Sequence, residues 1–346
     1  MKTTISSICL LNSTPSHLLL AALLFASPVA IHAQDGQAAT AMARAATQFV
    51  QSLDDAHKAK ATYSFGDKTR DVWHFFPNWA KRSGIPLSKL SKKQREPVMQ
   101  MLSLLLTTEA FKEQENIRLI HGLKKDLDAP NNPRHLYFLS IFGKPSVKST
   151  WGWRFEGHHL SINCTLGEGK NFSVTPSFWG SSPIRITKGE HKGLEVFKKE
   201  RALGLSLVNS LSAKQKKLAG IERGKGPGAT ASVSRKAYQP QAGIPYSELN
   251  PAQQKQLSEL VLVFAGKYRP ELFKQIDGRK KILDTSSMTF AFVPGPSSHV
   301  THYRIQTKEY LIEFNNGGGN HVHSAWRDFD GDFGRDVISE HLKRDH

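Results

Sequence analysis

Hydrophobic positions along this chain switch from helical to strand spacing, and they do so twice. After Ser88 and Ser91, both helix-capping residue types, Val98, Met101, Leu102 and Leu105 recur every three or four residues and predict an amphipathic helix. Ile117, Ile120 and Leu123 continue as a second helix, stopped by DAPNNP. Strand-like runs follow: LYFLSIF, WGWRFE, HHLSINCTL and FSVTPSFW, parted by GKP, a glycine and GEGK. Farther on, QQKQLSELVLVFAG reads as a helix. MTFAFV, HYRIQ, YLIEF and HVHSAW read as strands, parted by PGPSS, TKE and NNGGG. GKGPGATASVS, from Gly224, is the most linker-like stretch. Helices first and antiparallel strands afterwards predict an α+β fold.

The two halves share more than their order. GIPLSKLSKKQ from Gly84 matches GIPYSELNPAQQ from Gly243, and SLDDAHKAKA from Ser52 matches SLSAKQKKLA from Ser210. WRFEGHHLSIN from Trp153 can be set beside YRIQTKEYLIEF from Tyr303, which aligns Arg154 with Arg304. Three weak matches in one order predict an internally duplicated unit of roughly 150 residues. The expected units, each helices followed by an antiparallel meander, are 48–200 and 201–346, packed into one globule because each sheet needs cover.

Composition adds an address and a charge. Lys2, the apolar run LLLAALLFA from Leu18 to Ala26 and the small-residue end at Ala33 have the order of a secretory signal. The run is about half of the ~20 residues a bilayer-spanning helix needs, so residues 1–33 are expected to be cleaved. Mature protein beginning near Gln34 would be secreted or periplasmic, and no later run suggests a membrane span. Of two cysteines, Cys9 leaves with the signal; Cys164, in SINCTL, then has no internal partner and suits a buried small hydrophobe. The remaining chain of about 310 residues must stabilise itself by core burial, for which it is long enough. The net charge of +17 favours an anionic partner, small or polymeric. Its basic residues are scattered, and neither zinc-finger spacing nor an aromatic RNA-binding motif points to specific nucleic acid.

WHFFP from Trp73, WGWRFEGHHLSIN from Trp151, YRIQ and YLIEFNN from Tyr303, and NHVHSAWRDFDGDFGRD from Asn320 resemble the DUF 3500 family over nearly all the mature chain. The resemblance implies which segments to watch and supplies no mechanism.

Within those segments the residues suggest chemistry of their own. His321 and His323 are two apart, so on a strand both imidazoles leave one face and form a two-ligand arm for a divalent transition metal, zinc or similar. His158 or His159 could supply a third ligand, and Glu156 or Glu313 a carboxylate; which of the two adjacent histidines faces inward depends on register. Histidines satisfied by hydrogen bonds beside tight turns, and a metal-free cleft, are the competing readings. Asp328, Asp330, Asp332 and Asp336 alternate in a glycine-containing loop, but the spacing misses the calcium-loop pattern, and an ordered Asp turn is favoured. Arg70, His74, Arg154 and Arg304 could form a cationic pocket for a carboxylate or sulfate, and Glu313 and Asp328 belong to the same set of ligand-binding candidates. With no nucleotide loop, nucleophile elbow or HExxH helix, the concrete enzymatic expectation is a metal-assisted hydrolase or oxidoreductase, with Glu156 as general base. Its alternative is a non-enzymatic binder of acidic polymer.

Overall fold

A computed structural model describes residues 28–76, 82–123, 136–167, 171–222, 240–275, 282, 284–295 and 302–335. The DAPNNP stop, the 224–234 linker and Asp336 lie outside these residues, as does most of the signal. Helices α1 (Pro28–Gln51), α2 (Asp55–Ala61), α3 (Lys92–Leu105) and α4 (Thr108–Leu123) come from the first half of the chain. Those of the second are α5 (Lys198–Ser210), α6 (Ala213–Ala219), α7 (Pro251–Ala265) and α8 (Pro270–Gln275).

The glutamines repeated in the sequence have a mechanical reason. Ser91 caps α3, accepting from the backbone of Gln94 while the Gln94 side chain returns to the Ser91 N–H; Asn250 and Gln253 do the same for α7. Each glutamine amide also reaches the carbonyl that ends a neighbouring helical segment, Gln94 to Ser52 at 2.7 Å and Gln253 to Ser210 at 2.8 Å. The predicted stripe Val98, Met101, Leu102 and Leu105 is the buried face of α3. It packs on α1, an element the sequence reading left unassigned because its buried side is mostly alanine; a unit boundary at residue 48 falls inside this helix.

Among the described residues, twelve strands form one mixed sheet: β1 (Thr62–Tyr63), β2 (Ile85–Pro86), β3 (Phe138–Phe142), β4 (Trp151–Gly157), β5 (Leu160–Gly167), β6 (Asn171–Ser173), β7 (Ser177–Ser181), β8 (Ile244–Pro245), β9 (Thr289–Val293), β10 (His302–Gln306), β11 (Tyr310–Gly317) and β12 (His321–Asp328). Its spatial order is β1-β3-β4-β5-β7-β12-β11-β10-β9-β8, with β2 on β3 and β6 on β5. β3-β4-β5-β7 and β9-β10-β11-β12 are antiparallel runs on either side of the central antiparallel β7–β12 pair; at the ends β1 joins β3 in parallel, whereas β8 joins β9 antiparallel. Registers agree too. Ile85 lies opposite Leu139 and Ile244 opposite Phe290; Arg154 is flanked by Ser140 and Asn163, and Arg304 by Ala291 and Glu313.

Strand alternation gives the sheet two different faces. Trp151, Trp153, Phe155, Leu160, Ile162, Trp179, Tyr303, Ile305, Ile312 and Phe314 join the helices in the main core, with Cys164 buried among them. The intervening residues, among them Arg154, Glu156, Asn163, Arg304, Glu313 and Arg327, are polar and nearly all buried on the opposite face. That second face carries a smaller aromatic cluster of Trp73, Phe75, Phe178, Ala325 and Phe333.

Candidate metal centre

The β4–β5 hairpin turns on two residues, His158 and His159, between the paired Gly157 and Leu160. His159 adopts a left-handed conformation, φ 64°, uncommon for a residue with a side chain and held here by its neighbours. Its N–H donates to the Phe75 carbonyl at 3.1 Å, and its own carbonyl accepts from Gly180 N at 2.7 Å. The hairpin tip is thereby tied to β7 on one side and to the WHFFP segment on the other.

Directly across β7 lies β12, with His323 opposite Gly180. A Cβ on Gly180 would sit 3.3 Å from the rings of both His159 and His323 and 2.7 Å from the Val322 carbonyl. The missing side chain is what lets the two imidazoles approach. A glycine inside a strand pattern is the signature of such an approach, so FWG in the sequence held a signal that went unused.

The result is a convergence of three imidazoles. His159 Nε2 lies 3.0 Å from His321 Nε2, which lies 3.0 Å from His323 Nε2, and the possible ligand atoms all fall within 4.8 Å of one another. The pair two residues apart projects from one strand face, and of the two adjacent histidines it is His159 that joins it. His158 stacks on the back of His159 with ring centroids 3.9 Å apart and meets His121 of α4 edge-on at 4.7 Å. Phe75 and Phe178 border His323 at 4.8 and 5.5 Å. His159 is buried, His323 half-buried and His321 exposed, so one side of the cluster is open to solvent. Burial holds His159 well below the ordinary histidine range, with His158, His323 and His321 adding to it; burial and His321 bring His323 down to about 4. Both are neutral near pH 7, the form that offers a lone pair to a metal.

The other candidates are placed elsewhere. Glu156, on β4, is ion-paired with Arg154 at 3.2 Å and accepts the His74 N–H at 3.4 Å; burial raises its pKa, opposed by Arg154 and Arg82. Arg154 also donates to the Thr69 and Arg70 carbonyls, at 3.1 and 3.0 Å, and to Ser83 Oγ at 2.7 Å. Arg70 donates to the Phe333 carbonyl at 2.5 Å and lies over the Phe65 ring, while His74 stacks near Phe76. Arg304 pairs with Glu313 at 2.8 Å. Four strands separate β4 from β10, so the aligned arginines are roughly 24 Å apart at ~4.8 Å per strand and do not share a pocket. Asp328 accepts from the backbone of Asp330 and Gly331, and Asp332 pairs with Arg327 at 2.6 Å, which makes this loop an Asp turn.

No helix among the described residues is long and apolar enough to cross a membrane. No curated protein and no solved structure matches the chain. A family model does match, over residues 35–335, a span that holds all three converging histidines, the hairpin and the WHFFP segment: the chain belongs to the family described as protein of unknown function (DUF3500).

Proposed function

We propose that His159, His321 and His323 hold one divalent transition metal, zinc or a similar ion, and that the protein is an exported metal-assisted hydrolase or oxidoreductase. The observation that carries this reading is the convergence of three Nε2 atoms. A ring nitrogen has one in-plane direction, occupied by either a proton or a lone pair, yet His321 Nε2 faces two other ring nitrogens at 3.0 Å. Hydrogen bonding satisfies one such contact well; a cation satisfies all of them. Ligands ~2.1 Å from a tetrahedral ion stand roughly 3.4 Å apart, close to the spacing here. Three protein ligands with an open side are the arrangement of a catalytic rather than a structural site. A zinc ion so held lowers the pKa of bound water towards 7. Glu156 serves this site through the WHFFP segment, which it and Arg154 hold against the hairpin.

Export is supported by the signal-like start, Lys2 followed by the apolar run Leu18–Ala26 and the small-residue end at Ala33. Internal duplication is our inference as well, supported by the matched capping glutamines and strand registers. The alternative function, an acidic-polymer binder, rests on the net charge of +17.

One preparation tests these readings. Untagged protein recovered from the exported fraction is expected to have an intact mass beginning near Gln34 and about one equivalent of metal. His159→Ala, His321→Ala and His323→Ala should each remove the metal. Absence of metal, together with no uptake of added Zn²⁺ or Co²⁺, would sink the metal reading. Heparin retention lost at modest salt would then favour the polymer binder.

A further inference from the structure

The peptide joining His158 to His159 is gripped at both ends, from opposite faces of the sheet. On the second face, its N–H, that of His159, donates to the Phe75 carbonyl at 3.1 Å. On the core face, its carbonyl, that of His158, accepts from the Tyr137 hydroxyl at 2.8 Å. Tyr137 is fully buried, stacked on Phe155, and its own carbonyl accepts the Leu87 N–H at 2.9 Å, so the ring has little freedom. Gly157 leaves room for it, since a Cβ there would overlap the Tyr137 ring. The hydroxyl has a single proton. Giving it to the His158 carbonyl leaves the oxygen to accept from His121 Nδ1, 3.3 Å away, whose imidazole supports the ring of His158.

We infer that Tyr137 is a positioning residue of the histidine centre: its hydroxyl locks the His158–His159 peptide plane, and with it the left-handed backbone that presents His159 to His321 and His323. The inference rests on the metal reading for its functional meaning, though the clamp itself is a property of the metal-free chain. Rotation of this peptide would swing His159 off its partners without disturbing the flanking strands, whose pairing resumes at Gly157 and Leu160. A left-handed histidine is the conformation such a rotation would relieve. Partners that orient a metal ligand from behind typically matter about 10–100-fold in metal affinity.

The test compares two buried tyrosines. Tyr310 is also in the main core and donates its hydroxyl to the Ile282 carbonyl at 2.9 Å, away from the histidines. Co²⁺ is titrated into metal-free mature wild type, Tyr137→Phe and Tyr310→Phe, recording Kd and the visible d–d band. Backbone amide exchange of His159 is measured in the same proteins without metal. Tyr137→Phe should weaken Co²⁺ binding at least ~10-fold, alter the band and speed His159 exchange. Tyr310→Phe should lose comparable stability yet keep the wild-type Kd, band and exchange rate. Equal effects in both variants, or none in Tyr137→Phe, would overturn the inference. If wild type binds no Co²⁺, the metal reading fails by itself. His159 exchange then decides the clamp: faster only in Tyr137→Phe sustains it, unchanged ends it.

Discussion

At the scale of single residues, the histidine cluster exchanges stability in acid for imidazoles that are unprotonated at neutral pH. An unfolded histidine takes up a proton near pH 6.5, whereas native His323, buried beside His321, does so only near 4. Above pH 6.5 both states leave it neutral and it costs nothing. As pH falls from 6.5 to 4 the unfolded chain alone gains the proton, so native stability drops by about 3 kcal/mol and levels off below that. His159, lowered for the same primary reason, pushes in the same direction. We therefore expect the urea midpoint of metal-free protein to fall between pH 6.5 and 4, and to fall less in His323→Gln. An equal pH slope in wild type and variant would show that His323 titrates normally. His302 must be accounted for in the same curve, because burial, helped by Arg304, lowers it to about 3.

At the scale of elements, the site depends on one irregular segment pinned to a regular sheet. Among its described residues, 67–76 and 82–83, this segment has a 3-10 turn at Lys68–Asp71 as its regular structure, yet it supplies the Phe75 carbonyl that the hairpin needs. Arg154 holds this segment by three hydrogen bonds, and Glu156 balances the Arg154 charge. Both side chains are about 1% exposed, so removing one leaves the other charged and buried, at a cost of about 3–5 kcal/mol. Arg154→Met should lower the urea midpoint accordingly and expose residues 67–76 to protease. Arg154→Met with Glu156→Leu should recover part of the stability, because the buried carboxylate left without Arg154 is gone too. If the double variant is no more stable than the single, the pair is not coupled as described. Glu156 was singled out in the sequence as a carboxylate beside histidines; its structural partner, the arginine two residues earlier, explains why a strand can carry it.

At the scale of the whole molecule, the two halves of the chain share one sheet and one core. β7 pairs with β12 from Ser177 to Ser181, and Leu106 forms a second antiparallel bridge with Tyr268 between the helical layers. His159 comes from one half and His321 and His323 from the other, so the centre exists only when that seam closes. Separated at the loop near Gly189, each half would carry a bare central strand and an uncovered apolar face. We expect fragments 34–190 and 191–346 to lack a cooperative melt alone, and to regain it together with metal binding. A cooperative transition in either fragment by itself would mean that the seam is an interface between independent domains.

Much of this organisation is legible in one dimension because it depends on local periodicity. The stripe of α3, the capping serine and glutamine, and the runs that become β3, β4, β5 and β9 to β12 follow from spacing that any α+β chain must obey. So does the pairing of His321 with His323, since alternate strand residues share a face whatever the partner strand. Which of His158 and His159 joins that pair was open because the choice rests on a backbone dihedral, and the backbone there is hydrogen-bonded to Tyr137, Phe75 and Gly180, which are distant in sequence. Arg154 and Arg304 align along the chain but lie on β4 and β10, on opposite wings of the sheet, because the β7–β12 pair stands between them. Alternation along a strand is a property of the chain itself; which strands meet, and so which side chains converge, is decided by burying both apolar faces in one sheet.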